Sequence, residues 1–218
     1  MSSSSGKRFV ISIVILIVVV VAAFLVFKPK NTAPPPAHIL IDATGQPTTG
    51  NPKAPLHIIA FEDLKCANCR RYNMSVYPKI KANYINTHRA QYTVIPLSFL
   101  PSSAPAGNAA LCLYHQKPSF FFDFVEYVYL HQPPESTNWA TLSALLQMAN
   151  QSTPSADMNA LSHCMMNNKY VNQLANNLKI AQSIMHHGVQ TPSVYVNGVL
   201  VRPLTFEHFN QIANHAKG

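Results

Sequence analysis

At 218 residues, 48% of them apolar and with 11 Phe and 9 Tyr to fill a core, the chain has the composition of one globular domain, or of one domain with an embedded subdomain. The formal charge of +8 admits nucleic acid or an anionic membrane surface as partner, but the basic residues fall in ones and twos (Lys7-Arg8, Lys28, Lys30, Arg70-Arg71, Lys79, Lys81). With no Lys/Arg run and no interleaved aromatic stripe, a nucleic-acid partner is set aside.

The first element is Phe9 to Phe27, FVISIVILIVVVVAAFLVF, apolar throughout except Ser12. As a helix it measures roughly 28 Å, close to the thickness of a hydrocarbon core. A cleaved signal peptide has a shorter apolar region with small residues just after it. Here Ala22-Ala23 lie inside the run and Phe24 to Phe27 follow. The expectation is a retained transmembrane helix over 9–27, contacting the lipid bilayer, with residues 1–8 as a cytoplasmic tail. Lys7 and Arg8 before the span nearly balance Lys28 and Lys30 after it. The N-terminus-in orientation therefore rests on the usual arrangement of a short tail and a translocated bulk domain. Residues 28–37, with three consecutive prolines, are expected to form a stiff linker.

A folded domain is expected over 38–218. Ile39–Ile41 is read as a short edge strand, and Ala43–Pro55 as turn-rich. Leu56–Phe61 and Gln91–Leu97 suit strands buried on both faces, with a helical stretch between them through about Lys81. Ala104–Tyr114, Ser119–Leu130, Trp139–Asn150 and Asp157–Asn167 read as four short helices, and Asn168–His187 as a longer one. Ser193–Val196 and Val199–Val201 flank Asn197-Gly198, a dipeptide suited to a type I′ hairpin turn. Thr205–Lys217 closes the chain as a helix with Thr205 as its N-cap. The order describes a small α/β domain with a helical insertion at about 102–185.

Cys66-Ala67-Asn68-Cys69 lies between a predicted strand and a predicted helix. Two cysteines three apart in the first turn of a helix share a face and are close enough to bridge. The first of them sits where helix N–H groups converge, which stabilises its thiolate. A free thiol is only about 3% ionised at pH 7, so lowering its pKa decides its reactivity. Lys65 adds positive charge beside it. By itself the spacing also fits half a zinc site or a structural staple, but Cys112 and Cys164 stand alone and supply no second ligand pair, so no metal is expected. Far along the chain, Thr191-Pro192 opens an apolar strand after a Gly-containing loop. A cis peptide there would set the backbone of Thr191 beside the cysteines to receive an extended chain; an ordinary trans turn is the alternative. His186-His187 read as solvated helix-end residues, and Phe120-Phe121-Phe122 as core.

These residues carry a family resemblance. From about Pro52 to the C-terminus the chain resembles DsbA-like proteins of thioredoxin fold. The matching pieces are Gly50 to Pro55, the strand Leu56–Phe61, Phe61-x-Asp63 ahead of Cys66-x-x-Cys69, and Gly188-Val189-x-Thr191-Pro192 with its Val196-Asn197-Gly198 hairpin. The resemblance implies a thioredoxin core with an inserted helical subdomain. Cys66 would be the exposed reactive sulfur and Cys69 its buried partner, with Thr191 and a cis Pro192 as the substrate-facing pair. No cofactor is implied. Two departures stand out. Ala60 occupies the position where many thioredoxin-fold proteins carry a buried acid, with Glu62 on the same strand face as a substitute, and the intervening dipeptide Ala67-Asn68 has no histidine to stabilise the Cys66 thiolate.

Cys112 and Cys164 are either two buried thiols or a structural disulfide; an oxidising compartment favours pairing, and so does the resemblance. The leading expectation is a monomeric, membrane-anchored thiol:disulfide oxidoreductase. It acts as an oxidase on exported proteins with free thiols and is reoxidised by a quinone-linked membrane partner, as the resemblance implies. A reductase or isomerase, or a non-catalytic binding or chaperone module, are the rival readings.

Overall fold

The computed structural model describes residues 38–216; the tail, span and linker expected over 1–37 lie outside them. Among the described residues no helix is long and apolar enough to cross a membrane.

The centre of the molecule is a five-stranded sheet of order β1-β3-β2-β4-β5. β2 (Leu56–Asp63) and β3 (Ala90–Leu97) run parallel, in register from Leu56 opposite Ala90 to Asp63 opposite Leu97. β4 (Ser193–Val196) pairs antiparallel with β2 and forms a hairpin with β5 (Val199–Leu200). The hairpin turns at Asn197-Gly198, both at positive φ as a type I′ turn requires. β1 (Thr48–Gly50) adds an antiparallel edge to β3.

Both faces of the sheet are covered, which is why β2 and β3 read as nearly unbroken apolar runs. Leu56, Ile58 and Ala60 with Tyr92, Val94, Val194 and Val196 face the larger core. Ile59, Phe61, Ile95, Leu97 and Tyr195 face the other. Full burial of a side chain such as Phe61 contributes roughly 1.5–3 kcal/mol, so both faces of the sheet help to hold the fold.

The connection from β2 to β3 is helical but broken. α1 (Ala67–Ser75) stops at Val76, α2 (Tyr77–Ile80) follows, and a π-helical turn over Lys81–Ile85 ends it. The expected continuous helix is interrupted because Pro78 has no N–H to offer the preceding turn. α3 (Ala104–Gln116), α4 (Pro118–His131), α5 (Leu142–Ser152) and α6 (Met158–Met166) extend the larger core. α7 (Val171–Ile184) covers the second face of the sheet through Ala181, Ile180 and Ile184. α8 (Phe206–His215) closes the chain, and Thr205 caps it by accepting a hydrogen bond from the His208 N–H at 3.2 Å.

Several boundaries differ from expectation. β1 was read as turn; its Thr48 hydroxyl meets that of Thr93 at 2.9 Å, and Gly50 is at φ +88°, where a Cβ would stand 2.4 Å from the Ala90 carbonyl oxygen. Ile39–Ile41 is not a strand. Ile39 donates its N–H to Gly198 O at 2.9 Å and, with Ile41, packs on the smaller core. α5 begins at Leu142 rather than Trp139 because Thr141 accepts from Ala144 N and so caps it. α7 begins at Val171, after Asn168 at positive φ.

Candidate active site

Strand β2 delivers the chain to the reactive cysteine. Cys66 is the N-cap of α1: its N–H donates to Asp63 O at 2.9 Å, and its own carbonyl accepts the first helical bond from Arg70 N at 3.0 Å. Cys66 and Cys69 are both free thiols and, against the expectation of an exposed Cys66, both are buried, Cys69 completely. The Thr191–Pro192 peptide is cis. The Cys66 thiol donates to Thr191 O with Sγ 3.5 Å away, so two segments 125 positions apart meet at this sulfur.

The electrostatics divide the pair. Hydrogen bonding from Cys69 lowers the Cys66 thiol to about 6; the Thr191 side chain and the backbone N–H groups of Cys69 and Asn68 act in the same sense, while burial opposes them. Burial holds the Cys69 thiol well above its ordinary value, and Cys66 and Glu62 add to this. At pH 7 a thiol of pKa about 6 is roughly nine-tenths thiolate, against a few per cent for a free cysteine. The Thr191 hydroxyl is buried without a protein hydrogen-bond partner of full geometry. Its dipole acts on Cys66 in the direction that favours the thiolate.

Glu62 lies on the same strand face as Ala60, as the alternation predicts, and is 1% exposed. It accepts from Tyr92 Oη at 3.1 Å and from Asn73 Nδ2 at 2.5 Å. The same Asn73 amide nitrogen reaches the Cys69 carbonyl at 3.1 Å, tying the acid to the second cysteine. Burial raises Glu62 to about 7, against hydrogen bonds from Tyr129, Asn73 and Tyr92 that favour its charged form. Lys65 is buried and its Nζ donates to Pro101 O at 2.9 Å, so this amine anchors the loop after β3. Asn68 is exposed at the mouth of the site and lines the groove beside Cys66. His186 and His187 are exposed, whereas Phe120 and Phe121 are core.

Two residues of the site were not singled out from the sequence for the parts they play. Asp63, known only as part of a motif, is fully buried and accepts from Lys65 N, Phe99 N, Leu100 N and Ser103 Oγ at 2.8–3.1 Å. It thereby fixes the loop that presents Phe99 and Leu100 to the groove. Burial raises its pKa while those four donors resist the rise. Glu135, in the Pro-rich loop between α4 and α5, accepts from Ala67 N at 2.7 Å; no local pattern marks it.

Cys112 and Cys164 are joined to each other, linking α3 to α6 with Cα atoms 6.1 Å apart. Neither is therefore available as a partner or co-ligand for the Cys66/Cys69 pair.

The Thioredoxin family model matches residues 42–214, the stretch that holds the sheet, the C-x-x-C at the start of α1 and the cis proline. The chain belongs to the thioredoxin family. Within that family its relatives are DsbA-like. A Bacillus cereus protein named probable disulfide bond formation protein D is 28% identical over 159 residues, 72% of this chain and 73% of that one. The crystal structure of Chlamydia trachomatis DsbA superposes with a TM-score of 0.75 at 28% identity, covering 84% of this chain and 97% of that one. Oxidised BdbD from Bacillus subtilis gives a TM-score of 0.77 at 22% identity over 84% of this chain and 99% of that one, a likeness of fold. This thioredoxin-family chain is a DsbA-like thiol:disulfide oxidoreductase.

Proposed function

We propose that the protein is a dithiol oxidase that forms disulfides in exported proteins through Cys66 and Cys69. A substrate thiolate attacks Cys66 Sγ of the oxidised pair; the new sulfur–sulfur bond forms as the Cys66–Cys69 bond breaks, and Cys69 leaves as a thiolate. A second substrate thiolate then attacks the substrate sulfur of the mixed disulfide and expels the Cys66 thiolate. Two electrons pass to the enzyme and the substrate is left with a disulfide. The observation that carries this direction is the environment of Cys66: a site that lowers this thiol to about 6 stabilises the reduced enzyme and so makes the disulfide more oxidising than one whose thiol is unperturbed. Cys69 must take up a proton in a buried setting, and Glu62, raised to about 7 and linked to Cys69 through Asn73, is the group positioned to supply it. Thr191, beside the cis Pro192, offers backbone to an extended substrate chain.

In this reading residues 9–27 anchor the chain in the bilayer, residues 28–37 space the domain from it, and the catalytic domain works outside the cytoplasm as a monomer. The apolar run from Phe9 to Phe27 supports the anchor. The Cys112–Cys164 bond fits an oxidising compartment. Reoxidation by a quinone-linked membrane partner completes the cycle. The test is a glutathione redox titration of Cys66/Cys69 in the full-length protein. A potential more oxidising than about −200 mV is expected, and one near about −270 mV, the thioredoxin value, overturns the oxidase assignment.

A further inference from the structure

Beside Cys66 the surface opens into a groove of about 540 Å³. Its apolar lining includes Val76, Leu100, Pro192 and Leu204, and its cationic lining consists of Arg71 and Arg202. Arg71 stands on α1, the helix that Cys66 caps. Arg202 follows β5 and donates to the Gln190 side chain, in the loop that ends at the cis Pro192. The elements that build the redox centre therefore each bring one guanidinium to it.

Among the described residues neither guanidinium has a carboxylate partner; the one ion pair there is Lys81 with Glu126, and Arg202 is held by a neutral amide. Both arginines are exposed. Glu135 is the one acid in the lining, and its carboxylate is engaged by the Ala67 N–H. A groove of mixed apolar and polar lining, with two such guanidiniums against the one Glu135 carboxylate, is complementary to a segment carrying negative charge, and charge complementarity of this kind acts chiefly on encounter rate and choice of partner.

We propose that Arg71 and Arg202 make this groove selective for extended segments in which acidic residues flank the reactive cysteine. This rests on the oxidase reading above and specifies its substrate class. The chemistry is that of the exchange already described; the arginines act before it, by holding the acidic segment so that its thiolate reaches Cys66.

The experiment uses the full-length protein and short synthetic peptides that differ only in the residues flanking one position, Asp in one set and Lys in the other. Peptides with serine at that position report binding without exchange, and dithiol peptides report oxidation. At low salt the Asp peptides are expected to bind and react about tenfold better than the Lys peptides, with the ratio falling towards one in high salt. Arg71→Gln with Arg202→Gln is expected to erase the ratio, as is Arg71→Gln alone in large part, which covers the case in which losing Arg202 disturbs its loop. Lys179→Gln, on α7 and outside the groove lining, is expected to keep the ratio and serves to separate a local effect from the overall charge of +8. Equal binding of Asp and Lys peptides overturns the proposal, and so does a loss of the ratio in Lys179→Gln as large as in Arg71→Gln. Selective binding without oxidation of any dithiol peptide upholds the groove and sinks the oxidase reading instead.

Discussion

The carboxylate of Glu135 accepts a hydrogen bond from the N–H of Ala67 at 2.7 Å, and Ala67 is the first residue of the helix whose N-cap is Cys66. The same end of the helix that stabilises a thiolate at Cys66 is thus partly occupied by a negative side chain from a distant loop. A helix N-terminus favours any anion, so the carboxylate satisfies a donor that no helical carbonyl reaches. Glu135 and Cys66 line the same groove, so its negative charge also opposes ionisation of Cys66.

Glu135→Gln keeps a hydrogen-bond acceptor in place and removes the charge. The pH midpoint for alkylation of Cys66 is expected to fall below about 6. The reduction potential should rise by about 10–20 mV, because Glu135 is exposed and the interaction is screened. An unchanged midpoint with a lower melting temperature would show that Glu135 serves only to hold its loop.

Thr191→Val tests the other side of the sulfur. Valine keeps the shape of the side chain and removes the hydroxyl, which has no hydrogen-bond partner among the described residues and favours the Cys66 thiolate. The alkylation midpoint should move above about 6 and the potential should fall by about 30–65 mV, a cost comparable to one charge-assisted hydrogen bond. If the potential rises instead, the hydroxyl is not a donor to the reduced state.

Two of the perturbed acids of the site, Cys66 and Glu62, give opposite pH dependences to stability. Cys66 is depressed in the folded, reduced protein from an ordinary 9.0 to about 6. Its stabilising contribution is complete above pH 9 and is lost as pH falls through 6. Glu62 is raised from 4.5 to about 7, so its contribution is complete below pH 4.5 and is lost as pH rises through 7. Oxidation removes the Cys66 contribution altogether. Urea unfolding of the reduced and oxidised forms at pH 5 and pH 8 should therefore show the reduced form gaining over the oxidised one at the higher pH. Glu62→Gln should weaken the decline of the oxidised form across neutral pH. A redox-form difference independent of pH would contradict the assignment of a thiolate to Cys66.

What the sequence announced and what it concealed divide along contact distance. The Asn197-Gly198 turn, the Thr205 cap and the shared face of Cys66 and Cys69 each depend on a few consecutive residues, and their chemistry is visible in them. The alternation in β2 likewise placed Glu62 on the face of Ala60. β1 was missed because Thr48–Gly50 has no apolar pattern and owes its form to pairing with β3, forty-odd positions away. Glu135 was missed for the same reason: its partner Ala67 is 68 positions distant and the bond is to backbone, which leaves no side-chain signature. Lys65 was read as a charge acting on its neighbour, and its amine instead reaches Pro101 O. Adjacency in sequence did not decide where a long, flexible side chain points.

The Cys112–Cys164 bond offers a prediction separable from catalysis. It closes a loop of 52 positions between α3 and α6, and neither sulfur lines the groove beside Cys66. In the chain-entropy account a cross-link of this span restricts the unfolded chain by about 4 kcal/mol, an upper figure because the unfolded state retains some order. Cys112→Ala with Cys164→Ala should lower the melting temperature by about 10 °C for a domain of this size. The redox potential and the alkylation midpoint of Cys66 should stay where they are, since no interaction that sets them involves either residue. Mass spectrometry of the alkylated parent protein, with and without reductant, should find these two cysteines protected until reduced. A double variant as stable as the parent would mean that α3 and α6 are held by packing alone.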